Sequence, residues 1–103
     1  MNLKHLLCFF PILFTNGFMF IPDKVKLKFL RQNIDFLDDK IYNLLDLRYK
    51  IVKEVGQQKR VIYDRDRETS ILNRLRAKEK LDDEFVEKLW QLIFSESYKI
   101  QMK

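Results

Sequence analysis

The sequence predicts an all-α chain of three helices, one very long, one short and one of medium length. Three observations predict it. Only two Gly and two Pro occur in 103 residues, against 47% hydrophobic and 34% charged, a composition suited to helices and unlike that of β-rich or disordered chains. Apolar residues recur at threes and fours from Leu27 to Val55, and no proline follows Pro22. No stretch alternates apolar and polar residues for long enough to make a strand.

The first helix is predicted from Asp23, placed as its N-cap, through Leu27, Leu30, Ile34, Leu37, Ile41, Leu44, Leu45, Ile51, Val52 and Val55. Taken as continuous from Lys24 to Lys59, it spans about 54 Å at 1.5 Å per residue. That is too long for a compact domain of this size, and helices of such length commonly find a partner along them. A chain of 103 residues is one domain with a limited core, so self-association is a natural way to complete it. Gly56 is the weak point of the helix, costing about 1 kcal/mol relative to Ala. The second helix starts within YDRDRE, Tyr63 to Glu68, with Asp64 or Asp66 as cap and Ile71, Leu72 and Leu75 on its apolar side. Acids in that first turn suit the positive end of the helix dipole. The third helix starts at Asp82, with Leu81 and Val86 placed as a hydrophobic staple. Phe85, Val86, Leu89, Ile93 and Ile100 form its stripe.

Residues 1–22 differ from the working domain expected over 23–103. They hold five of the nine Phe and no acid. Lys4, the apolar run Leu6 to Phe14 and the following Thr-Asn-Gly resemble a secretory signal. Pro11 and Gly17 break the apolar run, which argues against a stable membrane span. A further reading starts the working protein at Met19. A cytoplasmic protein is the expectation, with export as the alternative if residues 1–22 act as a signal peptide.

The formal net charge is +5, yet acids interleave with bases and no basic run tracks a phosphate backbone, so nucleic-acid binding is not expected. Cys8 is the single cysteine and His5 the single histidine. An intrachain disulfide and a cysteine-based metal site are thereby ruled out, and neither a metal nor another cofactor is expected.

Several polar residues have spacings that a structural helix does not require. Arg48 and Lys59 are close to three turns apart and project from nearly the same face, their Cα atoms about 16 Å apart. Two long side chains at that separation can bracket a small anion. Asp64 and Glu68 stand at i, i+4, with Arg67 at i+3 from Asp64, and Ser97 and Gln101 stand at i, i+4 on the third helix. Each taken alone reads more simply as a solvated group or a surface ion pair. Arg31 precedes Arg48 by an interval that places it about 25 Å away and about 100° around a straight helix. If both serve one small ligand, two chains must contribute to the site.

The segments LRQNIDFLDDKIYNLLDLRYKIVKEVGQQK, YDRDRE and FVEKLWQLIFSESYKIQ together resemble the all-helical class of chorismate mutase (type II). The resemblance runs from Leu30 to Gln101. It rests on an L-R-x-x-I-D-x-L-D opening, an Arg before V-G-x-x-K, a Y-D-x-x-R-E turn and S-x-x-x-Q on the last helix, in that order. It implies an intertwined homodimer joined through the long first helix, with active sites built from both chains. It also implies a cofactor-free Claisen rearrangement of chorismate to prephenate on the route to Phe and Tyr. By resemblance, Arg48 and the partner chain's Arg31 hold the substrate carboxylates with help from Ser97. Lys59 and Gln101 donate to the ether oxygen, Glu68 accepts from the ring hydroxyl with the main chain near Asp64, and Arg67 supports the anionic end.

Two departures bear on placement. Only Arg60, Val61, Ile62 and Tyr63 separate Lys59 from Asp64, a shorter loop than many members have, which leaves open whether Lys59 keeps the family position or Arg60 takes part. Arg65 stands where Pro is frequent. Isochorismate pyruvate-lyase, which occurs on the same fold, is the alternative activity, and a non-catalytic helical binding or regulatory module is the alternative outside enzymes.

Overall fold

The computed structural model describes residues 21–58 and 63–103. Expectations that concern residues 1–20, Lys59 and the loop Arg60, Val61 and Ile62 lie outside the described residues. Three helices follow in order: α1 Asp23–Gln58, α2 Arg65–Arg76 and α3 Asp83–Met102. No strand occurs among the described residues, and none of the described helices is long and apolar enough to cross a membrane. The chain divides into two compact units at Leu44/Leu45, and each is described by itself.

The first unit contains α1 as far as Leu44. Asp23 proves to be the first residue of the helix, not its cap. Val25 N and Lys26 N both donate to Pro22 O at 2.9 Å, so the preceding carbonyl meets the first-turn amides. The Asp23 carboxylate instead lies in the first turn, where it complements the dipole. Leu27, Leu30, Ile34, Leu37, Ile41 and Leu44 are spaced alternately by three and four, and all six are exposed. Ile34, Ile41 and Leu44 keep more than half of their surface open, at 55%, 56% and 58%. This is the heptad pattern of a helix seam, and it stands exposed among the described residues. Indeed α1 has no buried residue at all.

The second unit holds the core. Ile71 of α2 and Val86, Ile93 and Phe94 of α3 are its buried apolar residues. Ile71, Val86 and Ile93 sit at positions that helical periodicity selects; Phe94 is not among them, and Phe85, placed in the stripe, is exposed. The α2 cap is Asp64, of the two candidates: its Oδ1 accepts from Arg67 N at 3.0 Å. Asp82 caps α3, its Oδ2 accepting from Phe85 N at 3.0 Å. Between these helices Ala77 N returns to Asn73 O, and Glu79 adopts a left-handed φ of 54°. Arg76 and Glu87 then bridge α2 to α3 at 2.9 Å.

A Cβ-bearing residue in the left-handed region costs about 1–2 kcal/mol, whereas glycine relieves this and gives up about 0.4–1 kcal/mol through the freer unfolded chain. Glu79→Gly is therefore expected to raise unfolding stability by about 0.5–1 kcal/mol, read as a higher urea midpoint at unchanged slope. A lower midpoint would mean that the Glu79 side chain contributes more than its backbone costs.

Candidate active site

Within the second unit the three helices enclose a cavity of about 250 Å³. Its polar lining comes from Arg48 on α1, Asp64 at the α2 cap, Arg67 and Glu68 in the first turn of α2, and Ser97 and Gln101 on α3. Its apolar walls are Ile51, Val52 and Val55 on α1, Ile71 on α2, and Phe94 and Tyr98 on α3. Helical phase accounts for the grouping. Arg48, Val52 and Val55 succeed one another at intervals of four and three, as do Phe94, Ser97 and Gln101 at three and four, so each set shares a face.

Ser97 is the most buried polar residue of this site, at 5% exposure. Its Oγ donates to Ile93 O at 2.7 Å and accepts from Arg48 Nη1 at 3.0 Å. With its one proton committed to the turn below, the hydroxyl presents its remaining lone pair to the guanidinium. Arg48 is thus held by a fixed acceptor that reaches it across 49 positions of sequence. Burial pushes the Arg48 pKa down, the nearby Arg67 charge adds to that, and Tyr49 opposes it. Such a guanidinium remains charged at ordinary pH. It is partly stripped of water beside a second positive group, and an incoming carboxylate relieves both penalties.

Two polar atoms at this site are buried without a hydrogen-bond partner: Tyr98 Oη and Gln101 Oε1. They belong to residues at i, i+3 on α3, which are neighbours on one face. The Gln101 amide carries an acceptor and two donors, and half a turn about its last bond exchanges their places. Gln101 also lies close against α1. A Cβ added at Gly56 would stand 2.9 Å from Gln101 Cγ and 3.1 Å from both its Cα and Cβ. The glycine that looked like a weak point in a helix is a place where α3 lies close against α1.

At the cavity edge the Tyr63 ring packs on the Tyr98 ring at 5.5 Å and 59°, and Arg65 Nε donates to Tyr63 Oη at 3.3 Å. Arg65 is exposed but not purely solvated, because this hydrogen bond and the tyrosine beside it raise its pKa. The Asp64 carboxylate is occupied in capping α2, while its carbonyl accepts from Glu68 N at 3.1 Å.

Of the residues that the sequence singled out, Arg48, Asp64, Arg67, Glu68, Ser97 and Gln101 line this one cavity. Arg31 is exposed and belongs to the first unit. Lys59 lies outside the described residues. Sequence reasoning passed over Tyr98 and Phe94. Phase alone would have found both, since Tyr98 precedes Gln101 by three residues and Phe94 precedes Ser97 by three. In the sequence Gly56 reads as a weak point of the helix and as part of V-G-x-x-K, and its contact with Gln101 is not legible from spacing.

The model of the family described as chorismate mutase type II matches residues 30–102. No curated protein and no solved structure matches the chain. The match covers most of the sequence, and the chain belongs to the type II chorismate mutase family.

Ser97→Ala strands one donor of a half-buried guanidinium. The expected loss of unfolding stability is about 1–2 kcal/mol, measured by urea titration. In an Arg48→Met background the same substitution should cost less than half as much, because the donor it strands is gone. Equal costs in the two backgrounds would mean that the hydrogen bond does not couple the helices.

Proposed function

We propose that this chain is a chorismate mutase, converting chorismate to prephenate by an intramolecular Claisen rearrangement that serves Phe and Tyr synthesis. The observation that carries this reading is the meeting of the Arg48–Ser97 pair, Arg67, Glu68 and Gln101 around one small cavity in a chain of the type II family. Chorismate carries two carboxylates and must be held in a compact pseudo-diaxial conformer. In the reaction one C–O bond breaks as one C–C bond forms, all within the substrate, so no proton, electron or group passes to the protein. Holding the near-attack conformer can supply several kcal/mol by itself.

Arg48, pre-set by Ser97, takes one carboxylate through its planar fork. Glu68 accepts from the ring hydroxyl, beside the main chain at Asp64, and Arg67 balances the acids and supports the anionic end. Gln101 and Lys59 donate to the ether oxygen, where negative charge grows as the bond breaks. Their contribution is therefore larger in the transition state than in the ground state. Arg31 of a second copy supplies the other cationic group. The uncovered row from Leu27 to Leu44 supports such a pairing, since its heptad spacing suits a helix of the same kind.

Purified protein supplied with chorismate is expected to yield prephenate. Pyruvate from isochorismate, without prephenate from chorismate, would assign the lyase instead. Arg31→Ala and Arg48→Ala should each abolish turnover, and mixing the two should restore one working site per heterodimer. Heterodimers with no regained activity would refute sharing between chains.

Gln101→Glu gives a pH test with a fixed sign. The amide donates at any ordinary pH, whereas a carboxyl donates only when protonated, and a free Glu titrates near about 4.3. The variant should lose on the order of 10²-fold in kcat at neutral pH and recover as the pH falls, while the parent stays flat. A variant of undiminished activity at neutral pH would remove Gln101 from the ether oxygen.

A further inference from the structure

Gly56 occupies an unusual place for a glycine. It lies inside α1 with negative φ, so no left-handed conformation calls for it. A helix interior favours almost any other residue except proline. What requires it is space. Of the three atoms that a Cβ would meet, one is Gln101 Cα and another is Gln101 Cβ, each at 3.1 Å. Rotating the Gln101 side chain moves Cγ away but leaves those two in place, because both are fixed to the backbone of α3. Any relief must therefore shift the end of that helix.

The end of α3 is also the part free to shift. Gln101 is the last residue but one of the helix, which ends at Met102. The buried residues Ile93, Phe94 and Ser97 stand one to two turns earlier, locked in the core. A methyl group at position 56 would thus displace the terminal turn and its amide while leaving the core and the Arg48–Ser97 hydrogen bond in register.

We propose that Gly56 is a positioning residue for Gln101: by presenting no side chain, it lets the last turn of α3 seat directly on α1 and fixes where the Gln101 amide meets the cavity. The inference rests on the mutase reading for its kinetic consequence. Its structural content stands on the contact alone. The contact calls for a shift of a few tenths of an ångström, and since about 1 Å can cost on the order of 10²-fold in rate, a several-fold loss follows. The effect should fall on kcat and not on KM, because the carboxylate-binding pair is undisturbed.

The test is Gly56→Ala in the full chain, alone and combined with Gln101→Ala. The single variant is expected to lower kcat by roughly 3- to 10-fold with KM within about twofold of the parent. In the Gln101→Ala background the same substitution should change kcat by less than about twofold, since the group it misplaces is absent. The side-chain amide resonances of Gln101, assigned by their loss in Gln101→Ala, should move in Gly56→Ala while those of the exposed Gln91 stay fixed. Equal losses of kcat in both backgrounds would make the contact merely structural and overturn the proposal. So would a Gly56→Ala chain that fails to fold in either background, or Gln101 resonances that do not move. A parent protein that forms no prephenate would overturn the mutase reading, and the amide resonances would still decide whether Gly56 places Gln101.

Discussion

A serine hydroxyl with its proton already committed holds the guanidinium of the cavity. Ser97 donates down its own helix to Ile93 O and accepts from Arg48 Nη1. Charged donors in a partly dry setting need a fixed acceptor, and without one they lose water for no return. The bond also ties α1 to α3 at a point next to the core residues Ile93 and Phe94. On α1 and α3 the cavity lining continues from that tie. Gln101 stands one turn beyond Ser97, and Val52 and Val55 stand one and two turns beyond Arg48.

The second unit is small, and its few buried side chains leave little margin for error in packing. Close approach of backbones compensates where side-chain bulk is scarce. At Gly56 a Cβ would stand 3.1 Å from Gln101 Cα, closer than most Cβ contacts, and Gln101 itself lines the cavity. Recognition and packing are therefore not separate tasks in this chain. The helix faces that make the core, from Ile71 to Phe94, continue directly into the faces that make the site.

Charge is distributed with the same economy. Arg48 and Arg67 face one cavity together with Glu68 and with Asp64, whose carboxylate caps α2. The depressed pKa of Arg48 records lost water first and the like charge of Arg67 after it. A bound anion would relieve both penalties. The unpartnered Tyr98 hydroxyl and Gln101 carbonyl are polar groups of the same wall whose hydrogen bonding the folded chain alone does not complete.

Much of this was legible in the sequence, because helix type, capping and face are local properties. The threes and fours of Leu27 to Val55, the Asp82 cap and the stripe through Ile93 follow from spacing, and the ordered motifs from Arg31 to Gln101 carry the family. The first cap was misplaced by one residue, since a carbonyl before the helix can serve first-turn amides as well as an aspartate can. Asp64 and Asp66 stayed equivalent until the backbone chose between them. Tertiary structure alone decided that Ser97 holds Arg48, that Tyr98 joins the wall, and that Gln101 packs against Gly56. Each of these depends on the distance between residues far apart in sequence. Helical periodicity sets the direction in which a side chain points, but not which atom of another helix it meets or how near that helix comes.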